Sequence, residues 1–177
     1  MLGRLFFAAF PDADAAARIF RLAEVVTRAR QFDGDLILSD RLHVTLFFLD
    51  DGCGPREHIV RMACEAAQEV RMPSFDVWFD RIASFRGRPN NHPFVLLGDD
   101  GLSRLKLLRR TLGAAMTRSG LRHLVNADFT PHVTLLYDKR KIEEQPIEPI
   151  FWTVGEFVLI HSMYGHVHLA RWPLRVE

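Results

Sequence analysis

The chain has 177 residues, enough for one domain or two closely packed lobes, so we expect residues 1–177 to form a single domain. Hydrophobic residues make up 48% and charged residues 25%, which is typical of a soluble globular protein and excludes a disordered one. The formal net charge of +1, from 23 basic and 22 acidic residues, excludes a strongly cationic coat, so any RNA would bind at a local site.

The first predicted elements are a strand, a helix and a second strand. The apolar run LFFAAF at residues 5–10 is shorter than a membrane span and has no cleavage site after it, so we expect a strand, no membrane association and a cytoplasmic protein. Pro11 and Asp12 form a helix-start signal before apolar residues at helical spacing. After a short extended piece at 36–38, the alternating run at 42–49 predicts the second strand.

A second helix, two further strands and a third helix come next. The second helix begins near Pro55, which suits a first helical turn, and Pro73 ends it. Residues 74–85, rich in Phe, Val and Trp, predict a long strand, and the RGRPNNHP stretch predicts a turn into a strand at 94–97. Leucines at helical spacing predict the third helix over about 102–118.

The last part of the chain is predicted to consist of strands and a loop. An alternating strand at 131–137 is followed by a polar, proline-bearing loop at 138–149 and by two strands, 153–162 and about 165–174. Strands interleaved with three helices, several of them joined by short turns, indicate a mixed α+β architecture rather than a uniform parallel sheet.

The tetrapeptide His-Val-Thr-Leu occurs twice, each time in a predicted strand. The copies begin at His43 and His132, and their threonines are Thr45 and Thr134. Because strand side chains alternate between faces, His and Thr share one face, and two such strands side by side would bring four polar groups together. A single His-x-Thr is most often packing or a solvated edge, and a short repeat can be coincidence. A duplicate that includes histidine, a rare residue type, at matching positions favours a functional site over coincidence.

This set of side chains suits a phosphodiester. An imidazole with a pKa of about 6.5 can take or give a proton at neutral pH. Two histidines in opposite protonation states supply a base for the incoming water and an acid for the departing alkoxide, without a metal. The threonine hydroxyls can stabilise charge on the equatorial oxygens. The sequence therefore predicts a phosphoesterase that needs neither metal nor cofactor.

These residues resemble the two-histidine phosphoesterase superfamily, and within it the bacterial RNA 2',3'-cyclic phosphodiesterases, also called 2'-5' RNA ligases. The resemblance runs nearly end to end, through LFFAAFPD, RLHVTLFFLDD, DFTPHVTLLYD, WTVGEFVLIHS and LARWPL. It implies an α+β fold of two pseudo-symmetric lobes of antiparallel-rich sheet, with outer helices and a central cleft. It also implies a bacterial cytoplasm and, as partners, RNA ends or nucleotides with a cyclic phosphate. We expect a monomer.

The resemblance also assigns roles to residues. His43 and His132 would be the catalytic pair, and Thr45 and Thr134 would bind the phosphate. We assign His132 as the base that activates water and His43 as the acid that protonates the leaving 3' oxygen, which leaves a 2'-phosphate. Any 2'-5' ligation would be the reversal of such a phosphodiester equilibrium. Many relatives carry an arginine where this chain has Tyr137, which we include among the substrate-binding residues.

Two departures from the family pattern bear on substrate contacts. Lys139 or Arg140 could replace the charge of that arginine, but we favour exposed loop cations because surface Lys and Arg are the norm. Leu96 stands where relatives often have an aromatic residue, which puts a base-stacking contact there in doubt. Three apolar strand residues that could line a base pocket are interpreted as core: Phe7, Phe47 and Phe48.

Other candidate sites are weaker. His166 and His168, with His161 nearby, have the spacing of a strand metal pair, but no carboxylate follows at a useful distance and a metal site needs three or four ligands, so we expect none. Cys53 and Cys64 lack zinc-site spacing and are expected to be reduced, with a catalytic role disfavoured for either.

Two other hypotheses use the same four polar groups. One is a noncatalytic module that binds a nucleotide or an RNA end. The other is a phosphoesterase of the same superfamily that acts on a small cyclic phosphate, such as ADP-ribose 1'',2''-cyclic phosphate. ATP-driven ligation has no support, because the glycines at 52 and 54 lack the further residues of a phosphate-binding loop.

Overall fold

The computed structural model describes residues 3–50, 52, 56–163 and 165–175. In this part of the chain the strands are β1 Arg4–Ala9, β2 Val44–Asp50, β3 Phe75–Ser84, β4 His92–Leu97, β5 His132–Asp138, β6 Gln145–Val154, β7 Glu156–Ser162 and β8 His166–Pro173. The α-helices are α1 Ala13–Arg30, α2 Glu57–Gln68 and α3 Ser103–Arg118. None of these helices is long and apolar enough to cross a membrane. The predicted helix start at Pro55 lies outside the described residues.

The eight strands lie in one sheet in the order β6-β3-β4-β5-β2-β1-β7-β8, and every neighbouring pair is antiparallel. The order divides into two halves of four strands, which meet where β5 lies beside β2. That junction is a single residue pair, Val44 opposite Val133, whereas β1 with β2 and β4 with β5 pair over several residues. The prediction of an α+β fold with two pseudo-symmetric lobes is confirmed.

The three helices pack on one face of this sheet. In β1, Leu5 and Phe7 belong to the main core together with residues of all three helices. Phe6 and Ala8 point the other way and form a small separate cluster with residues of β7. A comparable cluster lies on β3 and β4 of the other half: Ala83, Val95 and Leu97. The alternation of side chains along the strands therefore leaves one face of the sheet available for a site.

Most of the predicted elements agree closely with the structure. The side chain of Asp12 caps α1, since it accepts a hydrogen bond from the backbone N–H of Ala15 at 2.8 Å. Gly120 follows α3 with a φ of 90°, a conformation that glycine adopts without steric cost. The predicted extended piece before β2 lies outside the strands, but its Ile37 N–H donates a hydrogen bond to the Leu135 carbonyl at 2.7 Å.

The predicted loop at 138–149 is wrong in its second half, which belongs to β6 and pairs with β3. Pro146 and Pro149 caused the error, because proline is a loop signal in most contexts. Here they lie in the edge strand of the sheet, where a residue without an N–H is tolerated. The predicted strand at 153–162 is confirmed for Glu156–Ser162, which is β7, but its start is wrong, because 153–154 end β6 and Gly155 separates the two strands.

A buried arginine of α3 connects the two motif strands on the helix side. Arg109 Nε donates to the Leu46 carbonyl of β2 at 2.9 Å, and its Nη2 donates to the backbone and side-chain oxygens of Asn126 at 3.1 and 2.5 Å. Asn126 precedes β5. The guanidinium lies between two rings, 4.3 Å from the centroid of Phe47 and 4.5 Å from that of Phe129. One side chain thus holds β2 and the segment that leads into β5.

We expect Arg109→Ala to lower the free energy of unfolding by about 3 kcal/mol, because it leaves buried carbonyl groups without a donor and removes the packing between two rings. In a chain of this size that corresponds to a decrease of roughly 6–12 °C in Tm, measured by thermal denaturation with circular dichroism. The neighbouring exposed Arg110→Ala is the control and should change Tm little. Equal Tm values for the two variants would contradict the role assigned to Arg109.

Candidate active site

A cleft of about 280 Å³ lies on the helix-free face of the sheet, above the junction of β2 and β5. The five residues that the sequence predicted for the site all line this cleft: His43, Thr45, His132, Thr134 and Tyr137. A larger hollow of about 590 Å³ lies around α3 on the helix side, and none of the predicted site residues lines it. The fold therefore brings both motifs to one place, although they are far apart in the chain.

The pairing of Val44 with Val133 sets the arrangement of the four polar side chains. In that antiparallel register, His43 lies across from Thr134 and Thr45 lies across from His132. The valines are fully buried on the helix side, so the histidines and threonines project into the cleft. Directly opposite residues have Cβ atoms about 5 Å apart and diagonal ones about 7–8 Å apart, which places the two imidazoles diagonally across a space suited to a small anion.

The two imidazoles make the same backbone hydrogen bond. His43 Nδ1 donates to the Arg41 carbonyl at 2.7 Å, and His132 Nδ1 donates to the Thr130 carbonyl at 2.7 Å. A carbonyl oxygen can only accept, so each Nδ1 carries the proton of the neutral ring. Nε2 then has the lone pair when the ring is neutral and a proton when it is charged. Each histidine can therefore act as a base or as an acid through Nε2 alone.

Aromatic rings pack against both imidazoles, from different elements. Phe6 of β1 stacks on His43 with 5.1 Å between ring centroids. Phe85, which follows β3, meets the His132 ring edge to face at 5.0 Å. These contacts limit the rotation of the rings and exclude water from one side of each. Burial accordingly lowers the pKa of both His43 and His132 below the ordinary value of histidine.

A third histidine, His166 of β8, also lines the cleft. Its ring lies 5.0 Å from that of His43, and Phe6 and Phe10 contact it edge to face. Burial, together with the nearby positive charge of a protonated His43, lowers the pKa of His166 to about 4, so it is neutral at physiological pH. From the sequence, His166 was a candidate only for a metal site. Within the described residues, no group of three or more His, Cys, Asp or Glu could hold a metal ion.

Each motif strand contains a β-bulge directly after its threonine. Pairing shifts register between Thr45 and Phe47 in β2, and between Thr134 and Leu136 in β5, so the last leucine of each motif is an extra residue. A bulge changes which residues face each side of the sheet. Tyr137 therefore lies on the cleft side, and so does the corresponding residue of β2, Phe48.

The extra leucine of each bulge keeps a partner for its carbonyl group. Arg109 donates to the Leu46 carbonyl at 2.9 Å, and the Ile37 N–H donates to the Leu135 carbonyl at 2.7 Å. Because a bulge leaves ladder groups unpaired, these two bonds satisfy polar groups that the sheet cannot. One of these two donors, Ile37, itself lines the cleft, and the other, Arg109, lies on the helix side of the sheet.

The remaining predictions about single side chains have mixed outcomes. The core interpretation is confirmed for the buried Phe7 and Phe47 but wrong for Phe48, which is 46% exposed and lines the cleft. Leu96 is fully buried, so it contacts no substrate base. Cys64 is a free cysteine, and burial raises the pKa of its thiol, which disfavours a reactive role. Cys53 lies outside the described residues.

Two arginines that were not predicted as site residues line the cleft, Arg4 of β1 and Arg41 of the short 3-10 turn Ser39–Arg41. The cations considered from the sequence, Lys139 and Arg140, pair with Asp33 at 2.8 and 3.9 Å and do not line the cleft. Their interpretation as exposed loop cations is therefore confirmed. Arg41 lies two residues before His43, whereas Arg4 comes to the cleft because β1 is a neighbour of β2 in the sheet.

Comparisons with known proteins identify a family and similar folds. The family model described as the 2'-5' RNA ligase superfamily matches residues 11–166. A crystal structure described as a phosphoesterase is 28% identical, with a TM-score of 0.71 over 97% of this chain and 98% of its own. E. coli LigT complexed with 3'-AMP is also 28% identical, with a TM-score of 0.70 over 98% of this chain and 99% of its own.

One further similarity concerns the fold alone. The protein TT0787 of Thermus thermophilus is 22% identical, with a TM-score of 0.73 over 98% of this chain and 99% of its own. No curated protein matches the sequence.

The histidines of the cleft can be followed individually by NMR. We expect His43 and His132 to titrate below pH 6.5 and His166 near pH 4. His43→Ala should raise the pKa of His166, because it removes a neighbouring like charge and part of the surrounding packing. The measurement is a pH titration of the ring signals in ¹H–¹⁵N spectra, with the exposed His58→Ala as the control. A His166 pKa that does not change in His43→Ala would contradict this arrangement.

Proposed function

The chain belongs to the 2'-5' RNA ligase superfamily, and from this we propose that it hydrolyses the 2',3'-cyclic phosphodiester at an RNA end to a 2'-phosphate. The observation that carries the proposal is the matched pair of imidazoles, each with Nδ1 bonded to a carbonyl and Nε2 left for the substrate. Two proton-transfer groups diagonally across one cleft match a reaction that needs both a base and an acid.

In the proposed reaction His132 Nε2 accepts a proton from water as the water oxygen attacks phosphorus. The bond between phosphorus and the 3' oxygen breaks, and Nε2 of protonated His43 gives its proton to that oxygen. The product carries a 3'-hydroxyl and a 2'-phosphate, and the two histidines have exchanged protonation states. The hydroxyls of Thr45 and Thr134 donate hydrogen bonds to the nonbridging oxygens, where negative charge increases.

The surroundings of His43 bear on the acid role assigned to it. Burial and the neighbouring rings lower its pKa, so the neutral form of His43 is favoured while the cleft is empty. A bound phosphodiester adds a negative charge beside the ring, and this raises the pKa of His43 into the range where an acid is useful. The assignment therefore requires that His43 takes up its proton together with the substrate.

Relatives support a nucleotide as the substrate class. E. coli LigT has been crystallised with ATP, with NADP+, with 3'-AMP and with phosphate. Its sequence is 26–28% identical to this chain in those structures. The cleft volume of about 280 Å³ suits a terminal nucleotide better than a long segment of nucleic acid. The same two histidines could also join ends, if a 5'-hydroxyl replaced water as the attacking group.

We expect His43→Ala and His132→Ala each to lower kcat on adenosine 2',3'-cyclic phosphate by about 100-fold or more, because each removes one proton transfer. The double variant should be little slower than the worse single variant, since the two groups act as a unit. The assay is chromatographic detection of adenosine 2'-phosphate, in the presence of EDTA. His58→Ala should retain full activity, and full activity in either cleft variant would refute the proposal. Tight binding of the substrate by the unsubstituted protein, without turnover, would also refute the proposal.

A substrate with a good leaving group tests which histidine is the acid. Nitrophenolate departs without protonation, so a nitrophenyl phosphodiester needs the base but not the acid. We expect His43→Ala to lose much less activity on that substrate than on the cyclic one, and His132→Ala to lose activity on both. Release of nitrophenolate can be followed by absorbance. The reverse pattern would exchange the two roles.

A further inference from the structure

The cleft continues past Tyr137 into a second hollow on the same side of the sheet. This hollow has a volume of about 410 Å³ and shares Arg4 and Tyr137 with the cleft. Its other lining residues belong to the turn between β3 and β4 and to the start of β4: Gly87, Arg88, Asn91 and Pro93. Tyr137 lies directly opposite Pro93 in the pairing of β5 with β4, so the two hollows meet at this strand pair.

We infer that this second hollow binds the nucleotide next to the cyclic end, so that the preferred substrate is an RNA strand rather than a free cyclic nucleotide. The inference rests on the proposed function. In this arrangement Arg88 and Tyr137 contribute to substrate selection at that same site.

The lining of the second hollow has the chemistry of a nucleic-acid subsite. Arg4 and Arg88 contribute two guanidinium groups, Asn91 contributes an amide, and no carboxylate lines the hollow among the described residues. Within the described residues, Arg4 and Arg88 have no ion-pair partner. Arg81, Arg118 and Arg171, in contrast, each form an ion pair. On a protein with a net charge of only +1, two unpaired cations facing one hollow favour a phosphate there.

Tyr137 provides the surface on which a base can stack. Its side chain is 42% exposed, although it lies within a strand and next to the cleft. The β-bulge after Thr134 turns it to this side of the sheet. Proteins that bind single-stranded nucleic acid commonly combine aromatic rings with positively charged groups, because every base can stack on such a ring.

The turn that carries Arg88 is fixed in place. Asn91 N–H donates to the Arg88 carbonyl at 3.0 Å, and Gly87 N–H donates to His92 Nδ1 at 3.1 Å. A Cβ on Gly87 would lie 2.3 Å from the Asn91 carbonyl oxygen, so this close approach requires glycine. Phe85, at the base of the turn, contacts His132. The turn is thus held directly beside the proposed catalytic pair.

The test compares two substrates that end in the same cyclic phosphate, adenosine 2',3'-cyclic phosphate and the dinucleotide ApA with a 2',3'-cyclic phosphate. We expect the unsubstituted protein to have the higher kcat/KM on the dinucleotide. In Arg88→Ala the ratio of the two kcat/KM values should fall about tenfold, which is the loss of one charge-assisted contact. Tyr137→Ala should lower the ratio by a similar factor, and Tyr137→Phe should preserve it because the ring remains.

Arg86→Ala is the matched control, because Arg86 is exposed on the same turn but does not line the hollow. The ratio of the kcat/KM values on the two substrates should be the same in Arg86→Ala as in the unsubstituted protein. Equal kcat/KM on both substrates, or a ratio that Arg88→Ala leaves unchanged, would overturn the second hollow as a subsite while the proposed function stands. Hydrolysis of neither substrate would overturn the proposed function, and with it this inference.

Discussion

The candidate site depends on two strands, one from each half of the sheet, whose only pairing with each other in the described residues is Val44 with Val133. Val44 and Val133 are buried against the helices, so the residues on either side of them must face the cleft. A one-residue slip of either strand would bury the histidine of that strand and expose its valine. The hydrophobic cost of that exchange is what holds the polar groups in place. Arg109 and Ile37 add to it, because each bonds the carbonyl of the leucine that ends a motif.

The two halves are alike in their backbone and different in their surroundings. Both imidazoles are oriented by the same bond to the carbonyl two residues earlier, which gives them the same tautomer. His43 lies among Phe6, Phe10 and His166, whereas the described ring contact of His132 is to Phe85. Pseudo-symmetry thus gives the two rings equivalent orientations, and burial lowers the pKa of both. The rings are alike in the nitrogen that faces the cleft and differ in the groups packed against them.

Sequence patterns predicted those parts of the molecule that depend on neighbours in the chain. The helices follow from apolar spacing, and the site follows from a tetrapeptide that occurs twice. Phe48 was missed because apolar strand residues usually belong to the core, and the bulge that turns this residue to the cleft leaves no mark in the sequence. Strand β6 was missed because proline in an edge strand looks like proline in a loop. His166 and Arg4 come to the cleft through the order of strands, which no local pattern contains.

A crystal structure of the protein with adenosine 2'-phosphate would show whether both Nε2 atoms act on one phosphate, as proposed. We expect the phosphate to lie between the rings of His43 and His132, with a phosphate oxygen within about 3.2 Å of each Nε2. A phosphate that only one of the two rings reaches, or one bound outside the cleft, would contradict the proposal.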